Sequence, residues 1–128
     1  VYADPPRFEA NVAKWSGKYG EKRVAEWYTN RPRQIGQATR AYRTAQTSGE
    51  LSHSGDERFA KHIANSRRGD LKLLDDDDTP LWTIYKRRPD STDFIDFAMA
   101  GVLSWQARLD VLAKGGWQRK SRKLTVMR

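Results

Sequence analysis

Val1-Tyr2-Ala3-Asp4-Pro5-Pro6 opens the chain, and its reading decides the fold. A short run of strand-forming residues meets an acid and is stopped by two prolines, which cannot continue a ladder or a helix interior. The segment reads as the end of a buried strand with a carboxylate at its carboxyl end. Working outward, Phe8, Val12, Trp15 and Tyr19 recur at spacings of three and four. Phe8 to Gly20 therefore reads as a helix, weakened by Gly17 and capped by Gly20. Arg23-Val24-Ala25-Glu26-Trp27-Tyr28 reads as a second strand. Strands alternating with helices indicate a layered α/β fold.

The rest of the chain extends that pattern. Asn30-Arg31-Pro32-Arg33 reads as a loop, and Ile35 to Ser48 as a helix with Ile35, Ala38, Tyr42 and Ala45 on one side. Gly49 ends it, and Leu51 to Gly55 is a short connection that holds His53. Asp56 starts a helix over Phe59, His62, Ile63 and Ser66, which Gly69 is expected to close. Leu71 to Leu74 and Leu81 to Tyr85 read as paired strands around the acidic turn Asp75 to Asp78 and Thr79-Pro80. A last long helix is expected from about Asp93 to Lys114, ended by Gly115-Gly116. The expectation is α/β, with few strands flanked by helices, a β-hairpin and a long C-terminal helix. Residues 1–116 form the folded portion, and 117–128 a basic tail expected to be mobile. So few strands make a thin sheet, and we expect further strands before Val1.

Composition narrows the function classes. Of 128 residues, 24 are Lys or Arg and 16 are Asp or Glu, a formal net charge of +8. With a pI near 10.0, the balance favours a polyanionic partner, nucleic acid foremost. The hydrophobic fraction of 38% and five Trp suit a modest core rather than a disordered chain. Zero Cys excludes a disulfide scaffold, a Cys-ligated zinc and a Cys nucleophile. No apolar stretch approaches the roughly 18 to 20 residues of a membrane span. The start does not read as a signal peptide, so neither a membrane nor a secreted location is expected. There is no Walker A pattern, no Gly-x-Gly-x-x-Gly and no Ser nucleophile elbow.

Several residues could carry chemistry. Asp4 ends a strand, where α/β sheets place their sites, and a carboxylate there suits Mg²⁺ or Mn²⁺. Asp followed by Pro is also a common helix cap. Asp93 and Asp96, at i,i+3, share one side of a helix start, where Asp93 could equally be the N-cap and Asp96 the acid favoured by the helix dipole. His53 could orient a phosphate or water from its loop, whereas His62, beside Ile63, reads as a packed half-buried histidine. Asp75 to Asp78 read as a solvated turn without the spacing of a calcium loop. Basic groups sit at Arg31 and Arg33, Arg40 and Arg43, Arg67 and Arg68, and Lys86-Arg87-Arg88. The tail adds Arg119, Lys120, Arg122 and Lys123 beside Trp117, with no acid. Cations beside a carboxylate pair are what a nuclease needs, since they hold the phosphodiester while acids hold metal.

Taken in order, these pieces resemble the C-terminal nuclease part of tailed-phage terminase large subunits, over about residues 1 to 105. Val1-Tyr2-Ala3-Asp4-Pro5 is similar to the second acidic motif, and Tyr19-Gly20 before Val24 to Trp27 to the helix–strand junction. Gly49-Glu50-Leu51-Ser52-His53-Ser54-Gly55-Asp56 resembles Leu-x-His-x-Gly-Asp, and Phe59 to Asn65 the following His-Ile/Val-x-Asn helix. Lys86 with Phe94-Ile95-Asp96-Phe97-Ala98-Met99-Ala100 resembles the closing Lys…Ile-Asp-x-x-x-Ala motif. The resemblance implies a partial RNase H-like fold and two-metal, Mg²⁺- or Mn²⁺-dependent endonucleolytic cleavage of phage DNA during packaging. It implies Asp4 and Asp96 as catalytic metal ligands and Asp93 as an auxiliary. Lys86, Arg87, Arg88 and the tail cations would contact nucleic acid. It further implies double-stranded DNA, the remainder of the terminase, the small terminase and the portal as partners, in the host cytoplasm. The family's first acid and its ATPase domain have no counterpart here, so activity of this piece alone is open. The alternative is a non-catalytic basic DNA-binding or packaging-assembly module.

Overall fold

A computed structural model describes residues 1–116 of the chain. The expected mobile tail at 117–128, with Trp117, Arg119, Lys120, Arg122 and Lys123, lies outside the described residues. The described residues form a mixed α/β arrangement. In chain order they are β1 (Tyr2–Ala3), α1 (Glu9–Tyr19), β2 (Ala25–Glu26), α2 (Pro32–Ser48), α3 (Glu57–Asn65), β3 (Arg67–Leu74), β4 (Pro80–Tyr85) and α4 (Asp96–Ala113).

β1 and β2 pair in parallel, Tyr2 opposite Ala25 and Ala3 opposite Glu26, with α1 as the crossover. β3 and β4 form a separate antiparallel hairpin. Its register runs from Arg67 opposite Tyr85 to Asp70 opposite Trp82, then shifts before Leu74 opposite Pro80. The shift is a bulge: Lys72 sits at φ 55° and the Asp70 carboxylate accepts from its N–H at 2.8 Å.

α2 organises the core. Pro32 occupies its first turn, where a missing N–H is harmless, and Gly49 closes it in the left-handed conformation at φ 75°. The Ile35, Ala38, Tyr42, Ala45 stripe is buried as expected, against Trp27 of the β2 side and Val102, Leu103 and Trp105 of α4. The other face of this layer is the hairpin, whose Leu81 is wholly inaccessible. Gly36 lets the two approach, because a Cβ there would lie 2.9 Å from Leu71 Cδ1 and from Leu81 Cβ.

The structure differs from the sequence expectation in burial and in element bounds: β2 is only Ala25–Glu26, α2 starts at Pro32 and β3 at Arg67. The Phe8, Val12, Trp15, Tyr19 stripe of α1 is not a core face, since only Val12 is buried while Phe8, Trp15 and Tyr19 are exposed. Gly69 does not close α3, which ends at Ser66 with the Ser66 hydroxyl donating to His62 O at 2.9 Å. Gly69 instead lies in β3 beneath the Tyr85 ring, where a Cβ would come within 2.2 Å of Cε2. α4 starts at Asp96 rather than Asp93, and its N-cap position is Ile95, which has no side-chain acceptor to offer.

Candidate functional site

Asp4 follows β1 directly and is half-buried. It is not a helix cap, because α1 begins at Glu9 with Phe8 in the cap position. Its carboxylate is oriented by Thr29, just beyond β2. The Thr29 hydroxyl donates to Oδ2 at 2.5 Å and the Thr29 N–H to Oδ1 at 3.4 Å. Both oxygens keep a lone pair, and no cation pairs with Asp4 among the described residues. Nothing in the sequence singled out Thr29, since its role depends on how the two parallel strands end side by side.

Asp96 occupies the first turn of α4 and is exposed, with no hydrogen bond or ion pair among the described residues. A carboxylate there is favoured by the helix dipole. Asp93 precedes the helix and is also exposed; its N–H donates to Ser91 Oγ at 3.1 Å. The side chains that meet this segment come from two distant places. His62 of α3 accepts from the Phe97 N–H through Nδ1 at 3.0 Å and stacks on the Phe97 ring at 4.4 Å. Asn65, one turn on, donates to Phe94 O at 3.0 Å. Lys86 lies 5.0 Å from the Phe94 ring centroid and donates to Ser91 O at 3.5 Å. His62 is therefore packed and half-buried, as read from the sequence, and it also bonds across elements. The signal for that bond was the apolar residue at the head of α4, which leaves a helix N–H in need of an acceptor.

The acids do not gather into one obvious centre. Among the described residues, no group of three or more His, Asp or Glu could hold a metal ion. The hydrogen bond between β1 and α4 joins Tyr2 to Asp110, fourteen residues or about 21 Å along the helix from Asp96. Burial first, then that bond, pushes the Tyr2 hydroxyl up to about 12.

His53 is exposed and folds back on its own loop, Nδ1 accepting from Gly55 N–H at 3.0 Å. It edges a cleft of about 460 Å³ with Tyr42, Phe59, Trp105 and Arg108. The cations divide into two sets. Arg40 is committed to the acidic turn, reaching Asp75 at 2.8 Å and Asp77 at 2.6 Å, and Arg33 stands 3.8 Å from Asp76. The turn is thus clamped to α2, while Asp76, Asp77 and Asp78 stay exposed to solvent as the sequence reading expected. Arg87 and Arg88 are exposed with no acid paired to them among the described residues. Arg68 covers the Trp82 ring and Arg31 the Tyr28 ring, each at 4.6 Å.

Comparison with family models, curated proteins and solved structures gives no match to this chain. Among the described residues no helix is long and apolar enough to cross a membrane.

Proposed function

We propose that this chain is the nuclease portion of a DNA-packaging terminase large subunit, cutting phage DNA with divalent metal. The observation that carries the reading is Asp4: a half-buried carboxylate at the carboxyl end of a parallel strand, aimed by Thr29 and with no cation paired to it among the described residues. The donor chemistry fits Mg²⁺ or Mn²⁺, because Asp4 and Asp96 are hard oxygen ligands with free lone pairs. Asp93 is the auxiliary acid. Two carboxylates are too few for a full two-metal centre, so the complete site needs a further acid from outside this chain. A bound ion would lower the pKa of the attacking water and stabilise the leaving oxygen. The chain's own part is to hold ions through Asp4 and Asp96 and the phosphodiester through Lys86, Arg87 and Arg88. His53 would orient a phosphate or water. The partners on this reading are double-stranded DNA, the rest of the terminase, the small terminase and the portal, in the host cytoplasm.

The test is conversion of supercoiled plasmid to nicked or linear forms by the chain with Mn²⁺. Cleavage lost in Asp4→Asn and in Asp96→Asn supports the reading; cleavage equal in both variants and the parent contradicts it. A second reading, a DNA-binding module without catalysis, is favoured by Arg87 and Arg88, exposed with no acid paired to them among the described residues, and by cations spread over aromatic faces. It expects DNA binding indifferent to both acid substitutions.

A further inference from the structure

We propose that the cavity between α2, the hairpin and α4 binds a small organic phosphate with a ring-sized apolar body, an inference independent of the metal reading. The cavity measures about 320 Å³, near the lower bound of pockets that hold small molecules. On the hairpin, Arg68 stands opposite Ile84, and Trp82 lies two residues before Ile84, so the three share one face. Ala98 and Val102, one turn apart on α4, add a buried apolar wall. Thr39 and Arg43, one turn apart on α2, complete the lining. Two hydroxyls of this lining are already spent. The Thr39 hydroxyl donates to Trp82 O at 2.6 Å and Gly36 O at 3.0 Å, and the Ser66 hydroxyl to His62 O at 2.9 Å. Among the described residues no buried side-chain polar atom lacks a partner, so the part of a ligand that enters is apolar.

The mouth has the opposite character. Arg43 and Arg68 both line the cavity, and both are exposed. Ion pairs among the described residues engage Arg33, Arg40 and Arg58, so neither guanidinium at the cavity is committed to an acid there. Arg68 is instead held over the Trp82 ring at 4.6 Å, which steadies its fork without consuming the N–H donors. Two guanidinium forks from two different elements suit a phosphate, which offers three oxygens where a carboxylate offers two. The apolar body would then lie against Ile84 and Val102, with the anion at the mouth.

The experiment titrates the full chain with phenyl phosphate, inorganic phosphate, benzoate and phenol, followed by amide, indole and methyl NMR signals. Phenyl phosphate should shift the Trp82 indole N–H and the Ile84 and Val102 methyls, and should bind about 10-fold or more tightly than each of the other three. Arg43→Gln and Arg68→Gln change exposed side chains, so the chain should stay folded, and each should weaken phenyl phosphate on the order of 10-fold. Unmoved Trp82, Ile84 and Val102 signals in the parent would overturn the proposal. So would phenyl phosphate binding no better than inorganic phosphate or phenol, or affinity unchanged in both variants. Benzoate binding as tightly as phenyl phosphate would overturn the choice of phosphate.

Discussion

Arg40 meets Asp77 with both arms of its guanidinium, Nη1 to Oδ1 at 3.1 Å and Nη2 to Oδ2 at 2.6 Å. The pair joins the middle of α2 to the hairpin turn, and Nη1 also reaches Asp75. The Arg40 bonds hold Asp77 well below the usual carboxylate range, and Gln37 first, with Arg40, lowers Asp75. Depressed carboxylates stabilise the fold above their unfolded value of about 3.9, and that contribution is lost as pH falls through the folded values. The melting temperature should therefore fall below about pH 4. Arg40→Met should melt lower than the parent at pH 7, and the two should converge in acid. Parallel curves from pH 7 into acid would contradict the clamp.

Two glycines of one helical type should respond with opposite signs. At Gly36 a new Cβ collides with Leu71 and Leu81, so Gly36→Ala should destabilise by about 1–3 kcal/mol. At Gly17 nothing lies within 4 Å, so Gly17→Ala should stabilise α1 by about 0.5–1 kcal/mol. Urea denaturation midpoints of the two variants measure both.

Tyr2 keeps its proton to about 12 in the folded chain, two units above its ordinary value of 10.0. A raised folded value means that the contribution is complete below pH 10 and disappears as pH climbs through 12. Tyr2→Phe should cost about 1 kcal/mol near neutrality, through loss of the bond to Asp110, and progressively less above pH 10. Denaturation midpoints from pH 8 to 12 give the comparison.

How much of this was legible depended on sequence distance. The α2 stripe could be read because Ile35, Ala38, Tyr42 and Ala45 follow the helical repeat and one face really is buried. α1 shows the same repeat, yet three of its four apolar residues face outward, because periodicity reports amphipathicity and not what covers the face. Gly69 misled as a helix end since its reason is a Tyr85 ring sixteen residues on. Asp4 at a strand end was legible from two prolines. Thr29, Asn65 and the Arg40 clamp were not, because each joins residues 25 or more positions apart.

Duplex DNA binding should weaken steeply with salt, as expected of a chain at +8. Each phosphate contact adds about −0.9 to the log–log slope, so replacing Lys86, Arg87 and Arg88 together by Ala should flatten it by about 2 to 3. Affinity measured from about 50 to 200 mM salt checks this, and an unchanged slope in the triple variant would move the interface elsewhere.

The central claim is that Asp4 holds a divalent metal ion. Mn²⁺ affinity of the parent, Asp4→Asn, Asp96→Asn and the double variant, read from the free-ion paramagnetic resonance signal, tests it most directly. Asp4→Asn should remove most of the affinity, and Asp96→Asn, about 21 Å along α4 from the contact with β1, should add its effect independently. Affinity unchanged in Asp4→Asn, or lost only when Asp75 and Asp77 are replaced, would contradict the claim.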